Sequence, residues 1–496
     1  MQSQHSTCIS IRYDHVLAAW REQVTTAVNS PDIKHQILYQ ERELLPRFAA
    51  QYTKLSALPR RARRAMQRQW KRSLAGVALL LALGQASTLM AATINVGGGC
   101  TLIEAIDSAN SDTAIGGCAA GSGGDTIVLP QSSTQTLRTV NDSTFGPTGL
   151  PDIASVITIQ GNGATIRRDS TAPQFRVFRV RDGARLSLQQ TTVSGGIGLS
   201  GGGVYNAGGA VSLTGSKITG NVAYAGGGGG VTNFGTLTVT NSIISSNSLT
   251  GGGYDTGGGI QNSGFSSRLT ITRSTIAGNS AEGFGGGVYN GGGASFAINN
   301  GTISGNTGDG GGGVANFDAN VAVTNSTVAG NSSDFDGGGL LNESLGTLTL
   351  RNSTVTGNSA SRRGGGVSNN YGGKLTLTKT LVAGNAAPNG REINHGVGTV
   401  TANNFNVFGF NGNAGIAGFK KGATDIVPRV GLSKVLNTTL ANNGGRTRTH
   451  ALPAGSPAID TVSDGTCPPP ARDQRGVRRP RDGDGGTACD TGSFER

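Results

Sequence analysis

Residues 364–385 read GGGVSNNYGGKLTLTKTLVAGN, and the same order of segments recurs across the region 191–385. The shared pattern is GGGV-x-N, then L-T-[VIL], then [ST]-x-[IV]-x-x-N. Segments such as LTL at 375–377 alternate apolar and polar residues, which is typical of a strand with one buried face. No helical periodicity lies between these segments, so each unit is predicted to contain only strands and turns.

Two series of asparagines measure the repeat. The first series closes the glycine blocks and comprises Asn206, Asn233, Asn262, Asn290, Asn316, Asn342 and Asn369. The second series closes the units and comprises Asn221, Asn247, Asn279, Asn306, Asn331, Asn358 and Asn385. Both keep a period of about 27 residues, which indicates a solenoid whose units bury their apolar side against their neighbours. Three short strands and three turns account for this length, so the sequence predicts a parallel β-helix.

The recurrent glycines and asparagines are predicted to be structural. A glycine run such as 364–366 fits a sharp turn in which φ is positive and no Cβ is tolerated. Asparagine accepts a left-handed backbone and can stack its amide on the asparagine of the next coil. We therefore expect the first series to form a hydrogen-bonded ladder and to bind no ligand.

The net charge of +12 does not indicate a nucleic-acid partner. Residues 1–72 hold 13 Lys+Arg and 5 Asp+Glu, a balance of +8, whereas the remainder holds 28 and 24, a balance of +4. The basic excess is thus concentrated in a segment that is expected to be removed or left at a membrane. No nucleic-acid role is predicted for the repeat region.

The first 91 residues have the order of an export signal preceded by an extension. Residues 1–65 are polar and have helical character, whereas residues 66–91 contain a basic flank, a short apolar run and small residues before Ala91. The apolar run is too short for a membrane span. Three interpretations stay open: translation from Met66, an extended signal, or an uncleaved anchor over 74–92. The protein is predicted to be secreted or on the cell surface, with membrane contact only through the signal or surface attachment.

Four cysteines of the region after the signal fall into two close pairs. An even number of cysteines at close spacing in an oxidising compartment predicts local disulfides, Cys100 with Cys118 and Cys467 with Cys489. Neither pair has the spacing or the histidines of a zinc site. No metal and no cofactor are predicted.

Motifs at both ends of the chain resemble modules of secreted bacterial proteins. CTLIEAI at 100–106 resembles the CSLREA module, with Ile103 where that family has arginine. The GGG-[VIL]-x-N units are similar to repeats of polymorphic outer membrane proteins. LANNGG at 440–445, SPAID at 456–460 and CDTGSFE at 489–495 resemble the choice-of-anchor Q domain.

The resemblance implies an exported, all-β, right-handed parallel β-helix without catalytic residues to carry over. The predicted organisation is a CSLREA-like cap over 92–150, a β-helix over 151–410 with regular repeats at 191–385, and a choice-of-anchor Q-like cap over 411–496. This last segment is expected to cover the final coil.

One group of side chains could carry a function. The loops between x-x-N and GGG should stack on one edge of the solenoid, so that residues one period apart become neighbours about 5 Å apart. The candidate ligand-binding residues on that edge are Phe284, Asp309, Asp334, Phe335, Asp336, Arg362 and Arg363. The competing interpretation is a solvated ladder of opposite charges that contributes little energy.

Three functions follow from these alternatives. The favoured hypothesis is a non-enzymatic scaffold for adhesion or for binding an extracellular glycan, a host surface or a cell surface. The alternative is a carbohydrate-active lyase, hydrolase or epimerase that uses the same edge. A passive structural component of an envelope layer is the third. Convergence of the three aspartates with an arginine in a groove would favour the enzyme, and splayed side chains would favour the scaffold.

Overall fold

The computed structural model describes residues 91–251, 256–462, 467, 469–481 and 488–496, all within one compact unit, Ala91–Arg496. The predicted extension 1–65 and all but the last residue of the predicted signal 66–91 lie outside the described residues. Among the described residues, no helix has the length and apolar character that a bilayer crossing requires.

The described chain is an all-β parallel solenoid in which successive coils add strands to four parallel sheets. Sheet I carries the Val-x-Asn strands and comprises Phe178–Val180, Val204–Asn206, Val231–Asn233, Ile260–Ser263, Val288–Gly291, Val314–Phe317, Leu340–Glu343, Val367–Asn369, Ile393–His395 and Ile416–Ala417. Sheet II comprises Thr93–Asn95, Gly124–Val128, Val156–Gln160, Arg185–Gln189, Ala210–Thr214, Thr236–Thr240, Arg268–Thr272, Ser295–Asn299, Asn320–Thr324, Thr347–Arg351, Gly373–Thr378 and Gly398–Thr401.

The other two sheets complete each coil. Sheet III comprises Thr134–Leu137, Thr165–Arg168, Thr192–Ser194, Lys217–Thr219, Ile243–Ser245, Thr275–Ala277, Thr302–Ser304, Thr327–Ala329, Thr354–Thr356, Leu381–Val382 and Val407–Phe408. Sheet IV comprises Ile197–Gly198, Val222–Ala223, Ser248–Leu249, Ser280–Ala281, Thr307–Gly308, Ser332–Ser333 and Ser359–Ala360. The prediction of three strands per coil was wrong, because the sheet IV strands have two residues each and are too short to show an alternation.

The core is a continuous column of branched aliphatic side chains inside the coils. In the strand Thr236–Thr240, Leu237 and Val239 are fully buried, whereas the residues between and beside them face outward. Their register partners in the next coil, Leu269 and Ile271, are equally buried. Each coil thus covers the apolar side of its neighbour, as the two-residue periodicity predicts.

Two asparagine ladders run the length of the regular repeats. In the first series, the Nδ2 of Asn290 donates to Oδ1 of Asn316 at 2.9 Å, and that of Asn316 donates to Asn342 at 2.7 Å. The second series makes the same bonds, such as Asn306 to Asn331 at 2.8 Å. The expected left-handed backbone at these asparagines was wrong, since the first series lies within sheet I strands. Left-handed residues occupy the turn after sheet II instead, at Gln190, Asn241, Arg273, Asn300, Asn325, Asn352, Lys379 and Phe405.

In each ladder, the side-chain amide of the last asparagine meets a different kind of side chain, which ends the series. Asn385, the last of the second series, donates to Oε2 of the fully buried Glu392 at 2.7 Å. Asn369, the last of the first series, contacts Nδ1 of His395 at 3.1 Å. At a third position, serine hydroxyls accept from the N–H of the preceding coil, and in the last coils the N–H of Thr380 donates to Oδ1 of Asn406, whose Nδ2 donates to Oδ1 of Asp425 at 2.9 Å. These three side chains satisfy amides that would otherwise be buried without a partner.

The two ends of the solenoid are covered differently. The helix Leu102–Ser111 begins with a capping box between Thr101 and Glu104 and packs Leu102, Ala105 and Ile106 into the core of the first coils. The disulfide Cys100–Cys118 fixes this segment.

The C-terminal region does more than cover the final coil. Residues 403–436, which include the helix Leu432–Val435, follow the last coils, and Val435 packs with Leu381 and Val407. We call the described residues of 437–496 the C-terminal strap, which lies along sheet III. The side chain of Asn300 donates to the carbonyl of Asp473 at 3.1 Å, and Thr302 donates to that of Arg448 at 2.7 Å.

The strap is tied to itself and to several coils. Cys467–Cys489 is a disulfide within it, and the buried Arg479 pairs with Glu495 at 2.9 Å. The backbone N–H of Ser493 donates to the hydroxyl of Thr354 at 3.0 Å. The expectation of a cap over the last coil alone was therefore incomplete, because hydroxyls and amides on sheet III supply the strap with partners over several coils.

Candidate functional site

The loops from sheet IV to sheet I stack as predicted from their period. We call residues 282–284, 309–310, 334–336 and 361–363 the charged edge. The backbones of Asp336 and Arg363 form a parallel bridge, and so do those of Phe284 and Gly310. The N–H of Phe335 donates to the carbonyl of Asp309 at 2.7 Å. The loops are thus held at sheet spacing by their own main chain, which makes the edge a rigid surface.

The charged side chains of the edge do not pair with one another. Asp334, Arg362 and Arg363 are exposed, and among the described residues no ion pair within 4.0 Å joins a carboxylate of the edge to either arginine. The guanidinium of Arg362 instead lies 5.5 Å from the ring centroid of Phe335, which is 45 % exposed. The edge therefore presents charges that are free to contact a ligand.

Three half-buried aromatic rings lie beside these charges. The centroids of Phe284 and Phe317 are 5.1 Å apart with an edge-to-face orientation, and Tyr289 stacks on Phe317 at 5.8 Å. Tyr289 and Phe317 project from sheet I, whereas Phe284 lies in a loop. Phe284 is one of the candidates that the sequence predicted, whereas Tyr289 and Phe317 are not, and the fold brings all three rings against the charged edge.

Two sets of carboxyl groups lie close enough for their charges to influence one another. Burial raises the pKa of Asp309, and the neighbouring carboxylates of Asp334 and Glu282 raise it further. Burial, and then the carboxylate of Asp336, raises the pKa of Glu343 to about 7. The Oδ1 atom of Asp336 is buried and has no hydrogen-bond partner among the described residues. One carboxyl group beside the edge, that of Glu343, thus changes its protonation near neutral pH.

Glu343 was absent from the sequence-based candidates. It follows the ladder residue Asn342 and is the register partner of Phe317, so it projects outward from sheet I beside the loop of Asp336. The repeat itself distinguishes Glu343. The residue after each asparagine of the first series is in most coils small or aromatic, and an acidic residue there is an exception. The sequence-based selection had considered only the loops.

The raised pKa of Glu343 predicts a pH-dependent contribution to stability. Between the unfolded pKa near 4.5 and the folded pKa near 7, the folded state retains a proton that the unfolded state has lost. The free energy of unfolding therefore falls as pH rises through this window. We expect Glu343→Gln to match the wild type at pH 4 and to be more stable at pH 8, as measured by urea denaturation. Equal stability of both proteins at pH 8 would contradict the shift.

No metal centre is formed by the described residues, since none of their His, Cys, Asp and Glu side chains make a group of three placed to hold an ion. Two clefts lie away from the charged edge. One of about 530 Å³ is lined by Ile416, Phe419 and Lys420, and one of about 340 Å³ by Gln189, Asn241 and neighbouring residues.

Comparison with known proteins identifies no family. No protein-family model matches the chain, and no curated protein matches it. Among solved structures, the chain is similar to the crystal structure of pectate lyase Pel9A, with 18 % identity, a TM-score of 0.40, and coverage of 75 % of this chain and 88 % of that chain. The CSLREA, polymorphic outer membrane protein and choice-of-anchor Q resemblances therefore stay predictions.

Proposed function

We propose that this protein is an exported β-helix scaffold that binds a glycan along the charged edge without cleaving it. The observation that carries the proposal is the combination of half-buried aromatic rings and unpaired charges on consecutive coils. Aromatic rings stack on the apolar faces of sugars, and carboxylates and guanidinium groups bond their hydroxyls. Coil spacing of about 4.8 Å repeats these groups along the solenoid.

The rigidity of the edge favours the binding of a long, extended ligand. The asparagine ladders and the buried core fix each loop relative to the next, so little conformational entropy is lost when a polymer binds. Two disulfides indicate an oxidising compartment, where extracellular glycans are encountered. The partner would thus be a polysaccharide of a host, a cell surface or the surrounding matrix.

A carbohydrate-active enzyme is the second candidate. Glu343, with a pKa of about 7, lies near Asp336, and a carboxyl group that retains its proton near neutral pH is suited to general acid catalysis. Against this role, the arginines that would stabilise negative charge are exposed, and among the described residues no ion pair within 4.0 Å joins them to the aspartates. The exposed arrangement favours binding over turnover.

Binding is tested with the full chain and a panel of acidic and neutral polysaccharides. The Asp334→Ala, Asp336→Ala double variant removes two charges of the edge, and we expect it to weaken binding of any ligand about tenfold or more. Asp318→Ala, an exposed aspartate on the turn after sheet I, is the matched control and should bind as the wild type does. Unchanged affinity in the double variant would exclude this edge as the binding surface.

A further inference from the structure

The turn between sheet I and sheet II carries the most exposed large apolar side chains among the described residues. Five coils place such a residue there, with exposed fractions from 41 % to 88 %. We call these five residues the apolar ridge: Phe234, Phe265, Leu345, Tyr371 and Val397. The four largest exposed fractions of any large apolar residue in the described chain all belong to the ridge. Exposed apolar residues normally occur singly, so their concentration in one turn indicates an interaction surface.

The ridge is continuous over its last three coils. The N–H of Leu345 donates to the carbonyl of Tyr371 at 3.1 Å, and the N–H of Gly372 donates to the carbonyl of Val397 at 2.8 Å. A Cβ on Gly372 would lie 2.7 Å from Cδ2 of Leu345, so the leucine side chain extends across the turn of the next coil. The three apolar side chains therefore form one surface on the outside of the solenoid.

The folding of the coils does not explain these apolar side chains. Leu345 has a φ of 67° and Tyr371 has a φ of 49°, a left-handed backbone that suits glycine or asparagine better than a large side chain. Both side chains are exposed and neither belongs to the core. Unfavourable backbone conformations that stability does not require are typical of functional positions.

Exposed cations accompany the ridge, at the start of the sheet II strands that follow it and in the turn of the last coil. They are Arg268, Lys374 and Lys420. Lys420 occupies the ridge position of the last coil, because sheet I pairs Asn394 with Ala417 and the chain continues for three residues from each to Val397 and Lys420. Among the described residues, no carboxylate lies within 4.0 Å of any of these three cations.

Two carboxyl groups lie in or beside the same turns. Asp318 is exposed in the coil before Leu345, and its N–H donates to the carbonyl of Glu343 at 3.3 Å. Glu343 is half-buried, and burial, followed by the carboxylate of Asp336, raises its pKa to about 7, which reduces its negative charge at neutral pH. The cations thus outnumber the carboxylates, and the ridge is complementary to an apolar layer with a negative surface.

We propose that the apolar ridge inserts into the surface of a lipid bilayer that carries anionic headgroups. Apolar side chains enter the boundary between headgroups and acyl chains, while lysine and arginine contact the lipid phosphates. Leu345 and Val397 have no aromatic face to stack on a sugar, so a lipid suits the ridge better than a glycan does. The ridge follows sheet I whereas the charged edge precedes it. Membrane attachment therefore uses a separate surface and goes beyond the proposed function.

A fluorescent label tests the insertion locally. The full chain carries Cys8→Ser, so that besides the disulfide cysteines only an introduced cysteine can react. Ser344→Cys places an environment-sensitive dye beside Leu345 and keeps every residue of the ridge. Ser246→Cys is the matched control, because Ser246 is also exposed and has a φ of 54° against 53° for Ser344, but lies in the turn after sheet III.

The labelled proteins are titrated with vesicles of phosphatidylcholine and phosphatidylglycerol. We expect the emission to move to shorter wavelength at Ser344 and to stay unchanged at Ser246. Residues 1–72 carry a balance of +8 and can themselves attract anionic vesicles, so the local emission shift decides the test, and co-sedimentation does not.

Two double variants of the Ser344→Cys protein separate the apolar contribution from the electrostatic one. Leu345→Asn, Tyr371→Asn keeps residues that accept a left-handed backbone, and we expect the vesicle concentration for half of the emission shift to rise about tenfold. Lys374→Gln, Lys420→Gln should raise it about tenfold or more. Thermal unfolding should stay as in the wild type for both, because all four side chains are exposed.

The other outcomes contradict the proposal. No emission shift at Ser344, or an equal shift at Ser246, would overturn it, and so would an unchanged titration in Leu345→Asn, Tyr371→Asn. If that double variant fails to fold, Val397→Ser takes its place and should also require more vesicles for half of the shift. A shift at Ser344 with an acidic polysaccharide and none with vesicles would assign the ridge to a glycan instead.

Discussion

Gly312→Ala is expected to destabilise the protein by about 3 kcal/mol or more. A Cβ on Gly312 would lie 2.1 Å from the carbonyl oxygen of Ser332 and 2.7 Å from that of Gly338. Both obstacles are main-chain atoms of the next coil, so no side-chain rotation can relieve the clash. The free energy of unfolding, measured by urea denaturation with circular dichroism, reports this loss.

The matched control is Gly305→Ser. Gly305 has a φ of +63°, and nothing lies within 4 Å of a Cβ placed there. Ser246 precedes its ladder asparagine as Gly305 does and adopts a φ of 54°. Only the intrinsic cost of a left-handed backbone is then expected, about 1 to 2 kcal/mol. If Gly312→Ala lowers the free energy of unfolding less than Gly305→Ser does, close approach of the coils does not require the glycine runs.

Asn290→Ala is expected to cost about 2 to 4 kcal/mol, because two buried partners lose their bonds. Asn290 is fully buried, accepts from Nδ2 of Asn262 at 2.7 Å, and donates to Oδ1 of Asn316 at 2.9 Å. Neither neighbour can reach water from inside the solenoid. The same urea titration measures the effect.

Asn320→Thr serves as the control for the ladder. Asn320 is exposed on sheet II, and its register partners Ser295 and Thr347 are small polar residues. Threonine suits a strand, so we expect a change within about 0.5 kcal/mol. Equal effects of Asn290→Ala and Asn320→Thr would mean that the ladder contributes nothing beyond an ordinary surface asparagine.

The architecture could be predicted because the repeat makes distance along the chain equivalent to position along the solenoid. Asn290, Asn316 and Asn342 are consecutive register partners in sheet I, as two independent series of markers indicated. The two disulfides followed from the spacing of the cysteines. The sheet IV strands were missed because two residues are too few to display a period.

Other features depend on contacts between distant segments, which a local pattern does not encode. The left-handed backbone falls on the turn after sheet II, at residues such as Asn325, because the ladder asparagines are held in extended strands. The path of the C-terminal strap is set by side-chain partners that lie over 140 residues away, such as Asn300 and Asp473.

The candidate site also combines features that the repeat predicts with features that depend on tertiary contacts. The stacking of Asp336 on Arg363 follows from their separation of one period, and the bridge between them has that geometry. Glu343 stands out in the repeat as an acidic exception, but its raised pKa depends on burial and on the nearby Asp336, which the sequence alone does not reveal. The roles of all these residues in ligand binding are predictions that the experiments above address.

The central claim is that the charged edge binds a polysaccharide without cleaving it. The most direct measurement incubates the full chain with a polysaccharide that it binds, and follows both the affinity and the release of reducing or unsaturated chain ends. We predict saturable binding with no new chain ends over the whole incubation, and loss of the binding in the Asp334→Ala, Asp336→Ala double variant. Release of chain ends by the wild type, abolished in Glu343→Gln, would contradict the account and identify an enzyme.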